Sequence, residues 1–134
     1  MIKRVSHIAV AVPDVDQAAK FYTEKLGLVL GGREAVAGTK VMVGFIEVGE
    51  TRIELVQPAA PDSPITKFLE TRGPGLQHIC FEVDDVAAEL KRLDAAGVRL
   101  IDKMPHAGAH GTMVGFIHPA ATGGVLVELS QEKE

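Results

Sequence analysis

Residues 5–12, Val-Ser-His-Ile-Ala-Val-Ala-Val, form a run rich in β-branched residues that stops at Pro13, which predicts a first strand. Alternation places His7, Ala9 and Ala11 on one face and Ile8, Val10 and Val12 on the other. Asp14 or Asp16 caps a predicted helix over 15–26. In it Val15, Ala18, Ala19, Tyr22 and Leu26 recur at helical spacing, and Gly27 ends it. Strands follow near 28–33, 40–48 and 51–57, separated by a turn through Gly38 and another at Gly49 and Glu50. The unit is β-α-β-β-β, with its helix over the apolar face of the first strand.

The same order returns in the second half: a strand at 77–83, a helix at 85–96 ended by Gly97, and strands near 98–102, 112–118 and 125–130. The repetition is literal in places. Met-Val-Gly-Phe-Ile stands at 42–46 and again at 113–117, an offset of 71 residues that His7-Ile8 and His78-Ile79 share. Ile53-Glu54-Leu55 is echoed by Val127-Glu128-Leu129 at an offset three residues longer. The chain is an internal duplication, with module 1 at about 4–57, a linker and short helix at 58–75, and module 2 at about 76–131. Pro58, Pro61 and Pro64 stiffen the linker, and Ser63 followed by Pro64 starts a helix that runs to Arg72 before Gly73-Pro74-Gly75 breaks it. Only the charged tail, 131–134, reads as loose.

At 134 residues the chain is expected to be a single α+β domain, 1–134, because a module of about 60 residues is marginal alone and gains from shared burial. A formal charge of -4 gives no field for phosphate backbones, and 4% aromatics gives no stacking platform, so nucleic acid is excluded as a partner. One cysteine forms no internal disulfide, and the sequence has no long apolar run. A soluble protein of a reducing compartment, the cytoplasm, with no membrane partner, is the expectation.

The duplication directs attention to four residues. A lone histidine or glutamate in a strand is ordinarily solvated or hydrogen-bonded. Here His7 and His78 recur in the first strands of the modules and Glu54 and Glu128 in the last, each flanked by aliphatic residues that face the opposite way. Buried carboxylates are costly unless paired or coordinated. Two imidazoles and two carboxylates suit a first-row divalent ion with positions open to water or substrate.

These segments resemble the vicinal oxygen chelate superfamily, the glyoxalase/bleomycin resistance/dioxygenase group. Within it the likeness is to the methylmalonyl-CoA epimerases. It runs from Ser6-His7-Ile8-Ala9-Val10 through Pro61-Asp62-Ser63-Pro64-Ile65 and Gly75-Leu76-Gln77-His78-Ile79 to Gly108-Ala109-His110-Gly111, Phe116-Ile117-His118-Pro119 and Gly124-Val125-Leu126-Val127-Glu128-Leu129. The Asp-Ser-Pro-Ile linker, the Gly-Ala-His-Gly loop and the His-Pro turn carry most of its specificity.

The resemblance implies two paired β-α-β-β-β modules closing a cup-shaped, barrel-like mixed sheet with helices outside, a homodimer, and an acyl-CoA substrate. It makes His7, Glu54, His78 and Glu128 the ligands of a divalent metal, cobalt foremost, with nickel, manganese, iron or zinc also suited. Epimerisation removes the proton between a thioester and a carboxylate and returns one to the opposite face, so it needs two bases. Glu128 keeps one such role. The other, a turn glutamate in the family, aligns with Gly38, and either Glu34 or Glu54 takes its place or the reaction is not racemisation of this substrate. His110 in its glycine-flanked loop and His118 before Pro119 are candidate substrate contacts. Lys3, Arg4, Lys40 and Arg52 are candidates for the coenzyme A phosphates, and Cys80 reads as a small buried residue on the His78 face.

The same ligand set resembles that of glyoxalase I, a lactoylglutathione lyase, which makes that reaction the alternative. A metal-free small-molecule binder of the superfamily is the non-enzymatic alternative. It is disfavoured by a chain without Trp and with Tyr22 as its one tyrosine. An extradiol dioxygenase, with two histidines and one glutamate around iron, ranks third.

Overall fold

The computed structural model describes residues 1–132. Its elements are β1 (Ile2–Ala11), α1 (Val15–Lys20), β2 (Leu30–Val36), β3 (Val41–Val48), β4 (Thr51–Pro58), α2 (Pro64–Arg72), β5 (Gly75–Val83), α3 (Val86–Ala95), β6 (His106–Ala107), β7 (Met113–Ile117) and β8 (Leu126–Gln131). The fold is α+β. The eight strands are hydrogen-bonded in the order β2-β3-β4-β1-β5-β8-β7-β6. Part of the expected loose tail, positions 133 and 134, lies outside the described residues. Among the described residues no helix is long and apolar enough to cross a membrane.

Contacts divide the chain into two compact units: His7–Gln77, and Met1–Ser6 together with the segment from His78 onward. In the first unit β1 and β4 run parallel, while β3 is antiparallel to both β2 and β4. Its core is Val12, Val15, Ala19, Ile46 and Leu55, with Val10, Tyr22, Leu30 and Ile53 packed against them. Helix α1 supplies Val15 and Ala19 because Asp14 caps it, the side chain accepting the Gln17 N–H at 2.9 Å. The helix does not continue regularly to residue 26. Residues Phe21–Lys25 form a π turn closed by Leu26 N–H donating to the Phe21 carbonyl, and the extra residue in that turn rotates Leu26 outward, where it is exposed.

The second unit repeats the plan, with β5 parallel to β8 and β7 antiparallel to β8. Its core is Val83, Val86, Leu90, Ile117 and Leu129. The two copies of Met-Val-Gly-Phe-Ile use their glycine in the same way. A Cβ on Gly44 would stand 2.5 Å from a Val15 methyl, and one on Gly115 would stand 2.7 Å from a Leu90 methyl, so each glycine lets a helix lie close on its strand. The short helix α2 begins as expected, with Ser63 Oγ accepting the Ile65 N–H at 3.2 Å, Pro64 in the first turn, and Gly73 at φ 73° closing it.

One expected strand differs. Of residues 98–102, only Leu100 makes a β bridge, to Ile117, and the strand beside β7 is instead His106–Ala107. Asp102 explains the break: its carboxylate, rather than a backbone carbonyl, accepts the Phe116 N–H at 2.8 Å, and Pro105 has no N–H to offer a ladder.

Candidate active site

Strand register assigns the faces. In the first unit Ala9 lies opposite Glu54 and Glu54 opposite Phe45, so His7, Ala9, Ala11, Arg52, Glu54, Val43 and Phe45 share the face turned away from α1. The face is lined by alanine on β1, which leaves room above it. His7 and Glu54 are buried, at 6% and 4% exposure, and His7 Nδ1 lies 3.2 Å from Glu54 Oε2. Arg52, two residues before Glu54 on β4, reaches the same oxygen: its Nη2 donates at 3.0 Å and its Nε at 3.3 Å. The guanidinium also stands 6.0 Å from the centroid of the Phe45 ring.

The second unit places Cys80 opposite Glu128 and Glu128 opposite Phe116, putting His78, Cys80, Glu128 and Phe116 on one face. His78 Nε2 lies 3.0 Å from Glu128 Oε1, both residues being buried. The edge of Phe116 meets His78, with ring centroids 5.5 Å apart and planes at 86°. In both units, then, a glutamate faces a histidine and lies across from the repeated phenylalanine.

Glu34 lies on β2 opposite Val43, which puts it on the same face as Glu54, and it is partly buried. Gly38 sits in the turn beyond, at φ 78°, where a side chain is strained. His110, also at positive φ, is exposed in the loop before β7. His118 Nδ1 accepts the Ala120 N–H at 3.0 Å and so serves a turn of its own backbone. The four basic candidates are each in an ion pair: Lys3 and Arg4 with Glu82, Lys40 with Asp62, and Arg52 with Glu54.

His106 is the site-facing residue that the sequence reading missed. Its Nε2 lies 3.2 Å from Asp102 Oδ2, and its ring stacks on Phe116 at 6.2 Å between centroids. The four-residue spacing from Asp102 was a signal, but it reads as a helical pair and lies in an irregular segment.

Comparison with known proteins fits this geometry. The sequence profile of the Glyoxalase/Bleomycin resistance protein/Dioxygenase superfamily matches residues 6–116. An ethylmalonyl-CoA/methylmalonyl-CoA epimerase of Cereibacter sphaeroides is 44% identical over 133 residues, covering 98% of this chain and 99% of that protein. The crystal structure of the methylmalonyl-CoA epimerase of Mycobacterium tuberculosis superposes with a TM-score of 0.93 at 33% identity, over 99% of this chain and 90% of that one. A variant of the Streptomyces coelicolor enzyme in complex with 2-nitronate-propionyl-CoA also superposes with a TM-score of 0.93, at 29% identity over 98% and 96% of the two chains. The chain therefore belongs to the glyoxalase/bleomycin resistance/dioxygenase superfamily, and within it to the methylmalonyl-CoA epimerase family of enzymes.

Proposed function

We propose that the protein is a metal-dependent epimerase that interconverts (R)- and (S)-methylmalonyl-CoA by removing and returning the proton on C2. The observation that carries this reading is the pair of repeat-equivalent histidine–glutamate contacts, 3.2 and 3.0 Å, in a chain that aligns end to end with an epimerase. His7, Glu54, His78 and Glu128 are the proposed ligands of one divalent ion. Their donor set suits it, and the spacing within each pair supports it. Adjacent ligands with bonds of about 2.0–2.2 Å to a first-row ion stand about 3 Å apart. Cobalt is the first choice of metal, with nickel, manganese, iron and zinc compatible with the same donors.

When bound, the ion supplies a Lewis acid for the negative charge that develops on the thioester oxygen. The chain supplies the rest. Glu128 is proposed as one proton-transfer carboxylate, and Gly38 leaves the second to Glu34 or Glu54. His110 is the proposed substrate contact on the loop before β7, with His118 secondary because its ring already caps a turn. A single domain, a homodimer and a cytoplasmic location, consistent with the one buried thiol of Cys80, complete the proposal.

Proton NMR of methylmalonyl-CoA in deuterated water tests the reading. Metal-loaded protein should abolish the C2 proton signal and collapse the methyl doublet. A loaded protein that leaves C2 protonated while isomerising a glutathione hemithioacetal would transfer the site to glyoxalase chemistry.

A further inference from the structure

The ligand reading of His78 and Glu128, on which this inference rests, needs the His78 ring held in one plane. Alternation along β5 settles the face that His78 occupies, but χ2 of a histidine is a broad torsion, so the strand does not settle how the ring is turned. That turn decides whether Nε2 points at Glu128 Oε1, from which it stands 3.0 Å. Phe116 meets the His78 ring edge to face, with centroids 5.5 Å apart and planes at 86°. Such a contact is favourable only while the two planes keep their angle, so it restrains the rotation that the strand leaves free.

Phe116 is itself held by the segment before β6. Its N–H donates to Asp102 Oδ2 at 2.8 Å, and its carbonyl accepts the N–H groups of Ile101 at 3.0 Å and Asp102 at 3.2 Å. Both polar groups of its backbone are thereby used away from β8, so its pairing with Glu128 is of the non-hydrogen-bonded kind, in which facing side chains stand closest. Asp102 Oδ2 also lies 3.2 Å from His106 Nε2, while His106 Nδ1 lies 3.3 Å from the Ala107 carbonyl oxygen. Engaged at both nitrogens, the His106 ring stacks at 23° to the plane of Phe116, with centroids 6.2 Å apart. One carboxylate, that of Asp102, thus fixes both the backbone of Phe116 and the ring stacked on it.

We propose that Phe116 is a positioning residue that sets the ring plane of His78 beside Glu128 for metal binding, and that Asp102 and His106 are the brace that holds Phe116 in place. Phe116 reaches one ligand through its ring and the other through strand register. It carries no donor atom of its own, so its contribution is to orientation alone. Because all five residues belong to one compact unit, the brace and the ligand pair move together.

The experiment uses the full chain with cobalt as the probe metal and reads affinity by titration, the visible absorption spectrum, and C2 exchange of methylmalonyl-CoA in deuterated water. The variants are Phe116→Leu, Phe116→Tyr, His106→Ala and Leu90→Val. Phe116→Leu should weaken cobalt binding about 3- to 10-fold and shift the spectrum, the scale of one aromatic pair acting behind a metal ligand. Phe116→Tyr keeps the ring and should restore both. His106→Ala leaves the Asp102 bond to the Phe116 N–H and should shift the spectrum in the same direction by less. Leu90→Val lowers stability from the helix side of the same strand, where Leu90 packs over Gly115, and should leave cobalt affinity and spectrum at the wild-type values. The proposal is overturned if Phe116→Leu binds cobalt with wild-type affinity and spectrum, if Phe116→Tyr gives no rescue, or if Leu90→Val reproduces the spectral shift. A wild type that takes up no cobalt overturns the ligand set and this role together. A wild type that takes up cobalt without exchanging C2 sinks the epimerase reading alone, and the cobalt comparison of the variants still decides Phe116.

Discussion

Glu34 and His106 occupy equivalent places in the two repeats: Glu34 lies across from Val43 and His106 across from Val114, the valines two residues before the repeated phenylalanines. The second position is braced by Asp102, whose Oδ2 serves both the Phe116 N–H and the His106 ring. Asp102→Ala should therefore destabilise the protein by about 1–3 kcal/mol, because the partly buried Phe116 N–H loses its acceptor. His106→Ala removes an exposed ring and its stacking, and should cost less, about 0.5–1.5 kcal/mol. Urea denaturation midpoints for the two variants check the ordering.

A metal that binds only the folded chain adds stability by mass action. At free metal 100-fold above its dissociation constant the gain is about 2.7 kcal/mol. Chelation should lower the melting temperature of the wild type, and added cobalt should restore it. Glu128→Ala, which removes a buried carboxylate facing His78, should abolish metal occupancy, turnover and the response of the melt to cobalt. Full activity in that variant would defeat the proposed ligand set.

What the sequence makes legible follows from how the duplication was kept. His7, His78, Glu54 and Glu128 are found by comparing the chain with itself, because residue type and strand parity are both preserved in each copy. Glu34 and His106 are not, since the offset between them is 72 rather than 71 and the residues differ in type. Their equivalence exists only in strand register. Arg52 and Glu54 share a face by alternation, yet nothing in the alternation tells that the guanidinium turns to the carboxylate rather than to solvent. The strand expected at 98–102 fails for a related reason: Asp102 uses its side chain where the pattern assumes backbone pairing.

The paired glycines of the repeated segments give a stability prediction that is independent of the chemistry. Gly44→Ala drives a Cβ to 2.5 Å from Val15, a short, stiff, fully buried side chain, and should cost about 1–3 kcal/mol as overpacking. Gly115→Ala meets the end of the longer Leu90 side chain at 2.7 Å, which has more rotamers with which to yield. It should cost less than Gly44→Ala. Thermal or chemical denaturation of the two variants, with turnover measured alongside, distinguishes loss of packing from loss of the site.

Cys80 lies on the same face as His78 and directly across from Glu128, yet it is fully buried, and its Sγ lies 3.8 Å from the Phe81 carbonyl. Burial denies a thiol reagent access to the sulfur. The native protein should therefore resist a water-soluble disulfide reagent and be modified at one thiol per chain only in denaturant. Cys80→Ala should cost about 1 kcal/mol, the loss of one small buried group, whereas Cys80→Ser places a hydroxyl there at a cost of about 1–3 kcal/mol unless it finds an acceptor. Rapid labelling of the folded protein, or Cys80→Ala proving the more damaging variant, would show that the thiol acts as something more than a filler beside Glu128.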